Sequence, residues 1–203
     1  MHEQELTPSE VEEPELEESE EPELDPEVAA RRAAALRHVR KFGDPVLKTK
    51  ARRVEVFDDA LRSEVAWMGH IMDDAIGVGL AATQVGALRR LLVYRTQQGM
   101  PVQALVNPEI EWHSKEEEIA EEGCLSLPAV LVEVERPVYV RVRAQNEFGE
   151  PITIEASGLE SRVIQHEMDH LDGKLILDRT PRDQRKAALR TLREAQSQSQ
   201  EAA

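Results

Sequence analysis

His166-Glu167-Met168-Asp169-His170 sets two imidazoles four residues apart, with a carboxylate beside the first. On an α-helix, residues i and i+4 share a face. Both rings could then bind one metal ion while Glu167 handles protons on a nearby water. The same pattern also arises by chance on exposed helices, so by itself it does not decide. A catalytic metal needs a third protein ligand and an open fourth position. Only 33 residues follow His170 and none is His, while Glu194 and Glu201 are remote. Upstream lies the only cysteine, Cys124, within Glu121-Glu122-Gly123-Cys124-Leu125-Ser126-Leu127-Pro128. A lone Cys is most often a small buried hydrophobe. Flanked by Gly and two acids, it is less typical of a core position. A thiolate with two imidazoles would leave the fourth position to water.

Gly77-Val78-Gly79-Leu80-Ala81-Ala82-Thr83-Gln84 is a run of small residues ending in an amide. It lacks the Lys-Ser/Thr of a phosphate-binding loop and follows a helix rather than a strand. It reads better as a loop that lets a substrate backbone approach closely, with Gln84 donating a hydrogen bond. The alternative is a tight helix-to-strand connection with Gln84 merely exposed.

These residues must be held by one ordinary domain of 203 residues, 40 % of them apolar. The net charge of −15 is unevenly spread. Residues 1–28 hold thirteen of the 40 acids and no Lys or Arg, which leaves 27 acids against 25 bases elsewhere. A nearly neutral body excludes nucleic-acid wrapping by bulk charge, and DNA is not an expected partner. No run approaches the ~20 apolar residues of a membrane span. One cysteine excludes an intramolecular disulfide, and the start lacks the basic flank and apolar run of a secretory signal. The expected location is cytoplasmic.

The Glu- and Pro-rich residues 1–28 read as a disordered acidic tail, either a solubilising extension or a docking arm for a basic partner. Propensity predicts a helix over Ala29–Phe42, broken by Gly43-Asp44-Pro45. Asp58–Ile76 is the clearest amphipathic helix, with Leu61, Val65, Met68, Met72 and Ile76 as its apolar stripe. Strands are expected at Leu91–Tyr94, at Val102–Val106 ending on Asn107-Pro108, over Val130–Val142 around Pro137, and at Ile152–Ile154. Helical spacing returns over Leu159–Leu171, with Gly173 as the stop, and again over the basic segment Arg182–Glu194. There is no regular βαβ alternation. The class is therefore α+β, with mixed or antiparallel strands around the central helix of His166 and His170 and a helix at the C-terminus. The domains expected are an acidic tail over 1–28, a catalytic domain over 29–181, and a basic helix with a short tail over 182–203.

Three segments in order closely resemble peptide deformylase. Its G-x-G-x-A-A-x-Q loop, E-G-C-x-S segment and Q-H-E-x-D-H helix stand complete as Gly77–Gln84, Glu122–Ser126 and Gln165–His170. The similarity runs from about Leu36 through Leu189, including Asn107-Pro108 and Leu171-Asp172-Gly173-Lys174, and leaves the acidic extension outside it. The resemblance implies a metal-dependent hydrolase that removes the N-formyl group from the formyl-methionine of new proteins and releases formate. It implies Cys124, His166 and His170 as metal ligands, Glu167 as general base and then acid, and Gln84 with the Leu125 N–H as the oxyanion hole. It implies one divalent ion, usually Fe2+, with Zn2+, Ni2+ or Co2+ as substitutes. The methionine pocket would be walled by Val78, Leu159, Val163 and the ring of His166. Arg162 would sit at the rim, its stem over the pocket and its head in solvent. The peptide would pair in strand fashion between Val78-Gly79-Leu80 and Glu122-Gly123.

Some positions depart from that pattern. Thr83 stands where many relatives have Pro, and Leu131 falls near a position where several carry Arg. Some relatives begin near Leu36 and are extended there, against the helix that propensity favours. The partners expected are a formyl-methionyl nascent chain and, through the basic C-terminal helix, the ribosome. A general metalloprotease would explain His166, Glu167 and His170 but neither Cys124 nor the glycine loop. A storage site or decayed homologue would have no use for Glu167 and Gln84.

Overall fold

In the computed structural model, which describes residues 24–201, Asp25 starts the first helix. Its Oδ1 accepts from the Glu27 and Val28 N–H groups, and Pro26 occupies the first turn, where its missing donor is harmless. Helix α1 (Pro26–Leu36) follows. The boundary expected at residue 28 therefore falls inside a helix. Residues 1–23 of the acidic segment lie outside the described residues. The helix expected as far as Phe42 stops at Leu36. Arg40 and Phe42 instead donate across the fold to the Gln84 and Ser126 carbonyls, the extended course that the family resemblance implies.

Asp58 caps α2 (Asp59–Asp74) through the Leu61 N–H. Leu61, Met68 and Met72 are buried as the stripe predicts. Ile76 is not part of that stripe. It lies past the helix end in a left-handed conformation (φ 59°) and is 54 % exposed.

The strands are β1 (Gly79–Ala81), β2 (Leu91–Tyr94), β3 (Gln103–His113), β4 (Glu117–Cys124), β5 (Leu127–Pro137), β6 (Tyr139–Gln145) and β7 (Pro151–Ser157). Five form an antiparallel sheet in the order β1-β2-β3-β6-β7, and β4 pairs β5 in a separate antiparallel ribbon. Strand β1 falls within the segment read as a loop. β3 does not stop at Asn107. That residue adopts φ 53°, accepts from the Val54 N–H and donates to Val54 O and Gln145 Oε1, so the strand continues through an irregularity. β4 escaped the periodicity reading because most of its outward positions are Glu.

β2 is buried on both faces. Leu91 and Val93 pack with α2, whereas Leu92 and Tyr94 pack with α3 (Gly158–Leu171). That explains its unbroken apolar run. α3 sets Ile164, Met168 and Leu171 against the five-stranded sheet. Its other side, with His166, Asp169 and His170, meets the β4–β5 ribbon. α4 (Arg182–Glu201) runs past the expected Glu194 and docks Ala188 and Leu192 in a cluster with Val130, Val132 and Val134 of β5.

Gly173 ends α3 at φ 71°, and a Cβ there would lie 2.8 Å from Lys48 O. Gly173→Ala is expected to cost about 1–2 kcal/mol from the left-handed conformation alone. For a chain of this size that lowers Tm by roughly 2–8 °C. An unchanged melting curve by circular dichroism would contradict this account of the helix stop.

Candidate active site

The period of a β-strand puts Glu122 and Cys124 on one face of β4, and the period of a helix puts His166 and His170 on one face of α3. Packing ribbon against helix brings the four together. One ligand atom from each of Cys124, His166 and His170 lies within 4.8 Å of the others. Cys124 Sγ is 3.3 Å from His170 Nε2, which is 3.2 Å from His166 Nε2. His166 Nδ1 donates to Glu122 Oε2 at 2.9 Å, which leaves its Nε2 lone pair facing the centre.

Glu122 is itself held from three sides. Arg136 Nε and Nη2 donate to its two oxygens at 2.6 and 2.9 Å, and Arg162 Nη1 adds a bond at 2.9 Å. Burial would push its carboxyl up, but Arg136 and His166 outweigh that and bring it down to about 2. Arg136 Nη1 continues to Asp169 Oδ2 at 2.8 Å, which Arg179 also holds. Arg136 was not singled out from sequence, and Glu122 was singled out only for its backbone. One signal was there: Val130, Val132, Val134 and Arg136 occupy the inward positions of one alternating strand. Arg162 departs from expectation. Its head does not reach solvent but donates to Glu118 O, Val134 O and Glu122.

Burial would raise the Cys124 thiol, yet the adjacent His170 and His166 rings hold it well below the usual range. Burial would likewise lower His166, but bonds to Cys124 and Glu122 raise it well above an ordinary imidazole. One sulfur and two imidazoles whose ligand atoms converge within 4.8 Å suit a divalent cation by donor chemistry. Glu167 is 4 % exposed, and burial lifts its carboxyl against the pull of the two imidazoles. Its Oε2 is buried with no hydrogen-bond partner among the described residues, as is His170 Nδ1. An orphaned carboxylate oxygen beside three convergent ligand atoms fits a site built to take an ion and its water.

Gln84 is buried, and the Ala81 N–H donates to its Oε1 at 2.8 Å. That fixes the amide so that Nε2 faces Cys124 Sγ (3.6 Å) and Ser126 Oγ (3.3 Å). Leu125 lies at the same spot, its carbonyl accepting from Lys41 Nζ at 2.9 Å. Thr83 Oγ1 donates to the His170 carbonyl, tying the glycine loop to α3.

A cleft of about 870 Å3 opens over these groups. Its lining includes Val78, Gly79, Glu122, Gly123, Leu159, Arg162 and Val163, together with Gln84, Cys124, Leu125, His166 and Glu167. Leu80 is the exception: its side chain is fully buried in the core against α2. β1 is the edge strand of its sheet, so the outer side of Val78–Leu80 faces no neighbour within it.

The family described as polypeptide deformylase matches residues 36–186. The chain is 46 % identical over 162 residues to a peptide deformylase of Acidothermus cellulolyticus, covering 80 % of this chain and 88 % of that one. It is 52 % identical over 141 residues to a peptide deformylase of Thermotoga neapolitana, covering 70 % and 85 %. Among solved structures, a peptide deformylase from Synechococcus elongatus in complex with actinonin is similar at a TM-score of 0.73 and 42 % identity, covering 75 % and 85 %.

Glu167 lies flat against Gly79, where a Cβ would stand 2.5 Å from Oε1 and 2.9 Å from Cδ and Cγ. Gly79→Ala should leave the fold intact and turn the Glu167 carboxyl away. Displacement on the ångström scale typically costs about 100-fold in turnover. A variant crystal structure with Glu167 unmoved and turnover unchanged would refute this packing constraint.

Proposed function

The chain belongs to the polypeptide deformylase family, metal-dependent hydrolases that remove the N-formyl group from newly made proteins, and from that premise we propose how its residues divide the work. Cys124, His166 and His170, whose ligand atoms lie within 4.8 Å of one another, would hold the ion. When bound, the ion supplies a water acidic enough to lose a proton near neutral pH. Glu167 accepts that proton and later delivers it to the leaving amine; a carboxyl raised by burial is suited to both. The Gln84 amide and the Leu125 N–H donate to the formyl oxygen as charge gathers there. One such donor is typically worth about 3 kcal/mol. Cleavage releases formate and a free N-terminus.

The observation that carries this reading is the orphaned Glu167 Oε2 beside three convergent ligand atoms, with an anchored amide turned to the same point. A thiolate with two imidazoles suits Fe2+ or Zn2+ by ligand chemistry. Fe2+ is the proposed native ion, with Zn2+, Ni2+ or Co2+ as substitutes, and the thiolate makes a ferrous site oxygen-sensitive. Val78, Leu159, Val163 and the His166 ring wall the methionine pocket. The peptide backbone pairs between the free edge of Val78–Leu80 and Glu122–Gly123; Leu80 contributes main chain only.

Among the described residues no helix is long and apolar enough to cross a membrane. The proposed setting is the cytoplasm, at the ribosome. α4 offers the contact: Arg182, Arg185, Lys186, Arg190 and Arg193 are exposed, while Ala188 and Leu192 are used in packing. The proposed division keeps residues 29–181 as the catalytic part and 182–203 as this appended helix with a short tail.

Glu167→Ala, purified anaerobically, should retain its metal and lose at least 10²–10⁴-fold in formate release from formyl-Met peptides. Near wild-type turnover would remove Glu167 from this role. An acetylated peptide should stay intact by mass spectrometry, which separates deformylation from general proteolysis. Reversing charge at Arg182, Arg185 and Arg190 should weaken ribosome binding, more at low salt than at high. Unchanged association at low salt would leave α4 as a packing element alone.

A further inference from the structure

α1 precedes residue 36, where the family match begins, yet it is joined to the body by real packing. Ala35 is buried in the α2 cluster, and Leu36 packs against that cluster. This docking fixes the azimuth of the helix. Arg32 and Leu36 stand one turn apart on a single face, and both line the active-site cleft.

Three cations line that cleft: Arg32, Lys41 and Arg162. Lys41 is engaged with the Leu125 carbonyl, and Arg162 with Glu118, Val134 and Glu122. The exposed Arg32 guanidinium has no hydrogen-bond or carboxylate partner among the described residues. Its charge is close enough to depress the Lys41 ammonium, a smaller effect than that of burial. The cleft carboxylates Glu122 and Glu167 are buried within the machinery. Glu121 stands exposed on β4. The cleft therefore carries at Arg32 a planar cation with unused donors, and its lining also includes the apolar Leu36, Ile76 and Leu131.

We propose that Arg32 is a specificity-determining residue, contributed by a helix outside the family match, that binds the carboxylate of an acidic side chain a few residues beyond the formyl-methionine of the substrate. The proposal rests on the deformylase reading of the cleft. A guanidinium matches a carboxylate through two parallel N–H···O bonds. On the deformylase reading the methionine end is held by Val163 and the His166 ring, and Arg32 lines the same cleft, within which the residues that follow must run.

The test uses the full chain and formyl-Met peptides with Asp, Lys or Ala placed in turn at the third, fourth and fifth positions. The ratio of kcat/KM for the Asp peptide over the Lys peptide is the readout. An exposed pair contributes about 0.2–1 kcal/mol, so at one position Arg32→Ala should lower that ratio about 1.4- to fivefold. Arg32→Glu should lower it further, Arg32→Lys should restore part of it, and added salt should shrink the wild-type ratio. Ala is an excellent helix former at an exposed site, so folding is not at stake. A ratio unchanged at all three positions, or an equal fall for every peptide, would overturn the assignment of Arg32. Absence of formate release from every formyl-Met peptide by the wild-type chain would instead overturn the deformylase reading itself.

Discussion

The buried carboxylate of Glu122 is the constraint on which the rest depends. It lies where the β4–β5 ribbon meets α3 and satisfies Arg136, Arg162 and His166 at once. Two charges taken out of water gain little net stability from each other, so such a pair is weak support for the fold as a whole. Its value is positional. Glu122 sets the ring orientation of His166, and two residues along the same strand face comes Cys124. Arg136 carries the restraint to Asp169, the neighbour of His170, and Arg179 closes it from beyond the helix end. One connected set of charges thereby fixes both elements, β4 and α3, that carry the proposed ligands. Removing a single partner would leave a buried charge uncompensated, typically at a cost of about 3–5 kcal/mol.

Around that frame, packing decides where the proton-transfer group points. Glu167 is pressed against Gly79 on the edge strand, while the preceding residue on its own helix, His166, is tied to Glu122. The carboxyl consequently has little freedom, and its Oε2 is buried with no hydrogen-bond partner among the described residues. Gln84 shows the same logic with a different restraint: its oxygen is pinned by the Ala81 N–H, so its donors have one direction to face. Restraint of this kind is what lets weakly acidic and basic groups act without reorganising during the reaction.

The two ends of the described chain are attached differently. α4 packs apolar residues on β5 and turns its Arg and Lys outward, away from the catalytic cleft. α1 packs on α2 and turns Arg32 and Leu36 into the cleft. One appended helix thus adds outward-facing charge, the other changes the lining over the substrate.

Much of the site was legible in the residues themselves. Helical period sets His166 and His170 on one face with Glu167 beside the first, but that pattern and the lone Cys124 each left an alternative open, and it is the resemblance to peptide deformylase that implies the ligand set. Strand β2 and helix α2 were legible because burial on one or two faces leaves a periodic apolar record. β1 was hidden because three residues are too few to carry a period, and β4 because most of its exposed positions are Glu whatever the backbone does. Ile76 read as core, yet it follows the helix end in a left-handed turn and faces the cleft. The sequence by itself determined which groups could do chemistry, since residue type and local spacing are sufficient for that. Only the tertiary structure decided that Arg136 neutralises Glu122, that the Arg162 head turns inward and that Arg32 reaches the cleft. Those placements join residues distant in the chain, 14 positions for Arg136 and Glu122, 40 for Arg162 and Glu122, and 135 for Arg32 and Glu167 at one cleft, and they depend on which strand faces which helix. No local pattern records such a contact, because side-chain period fixes a face but not the element that comes to cover it.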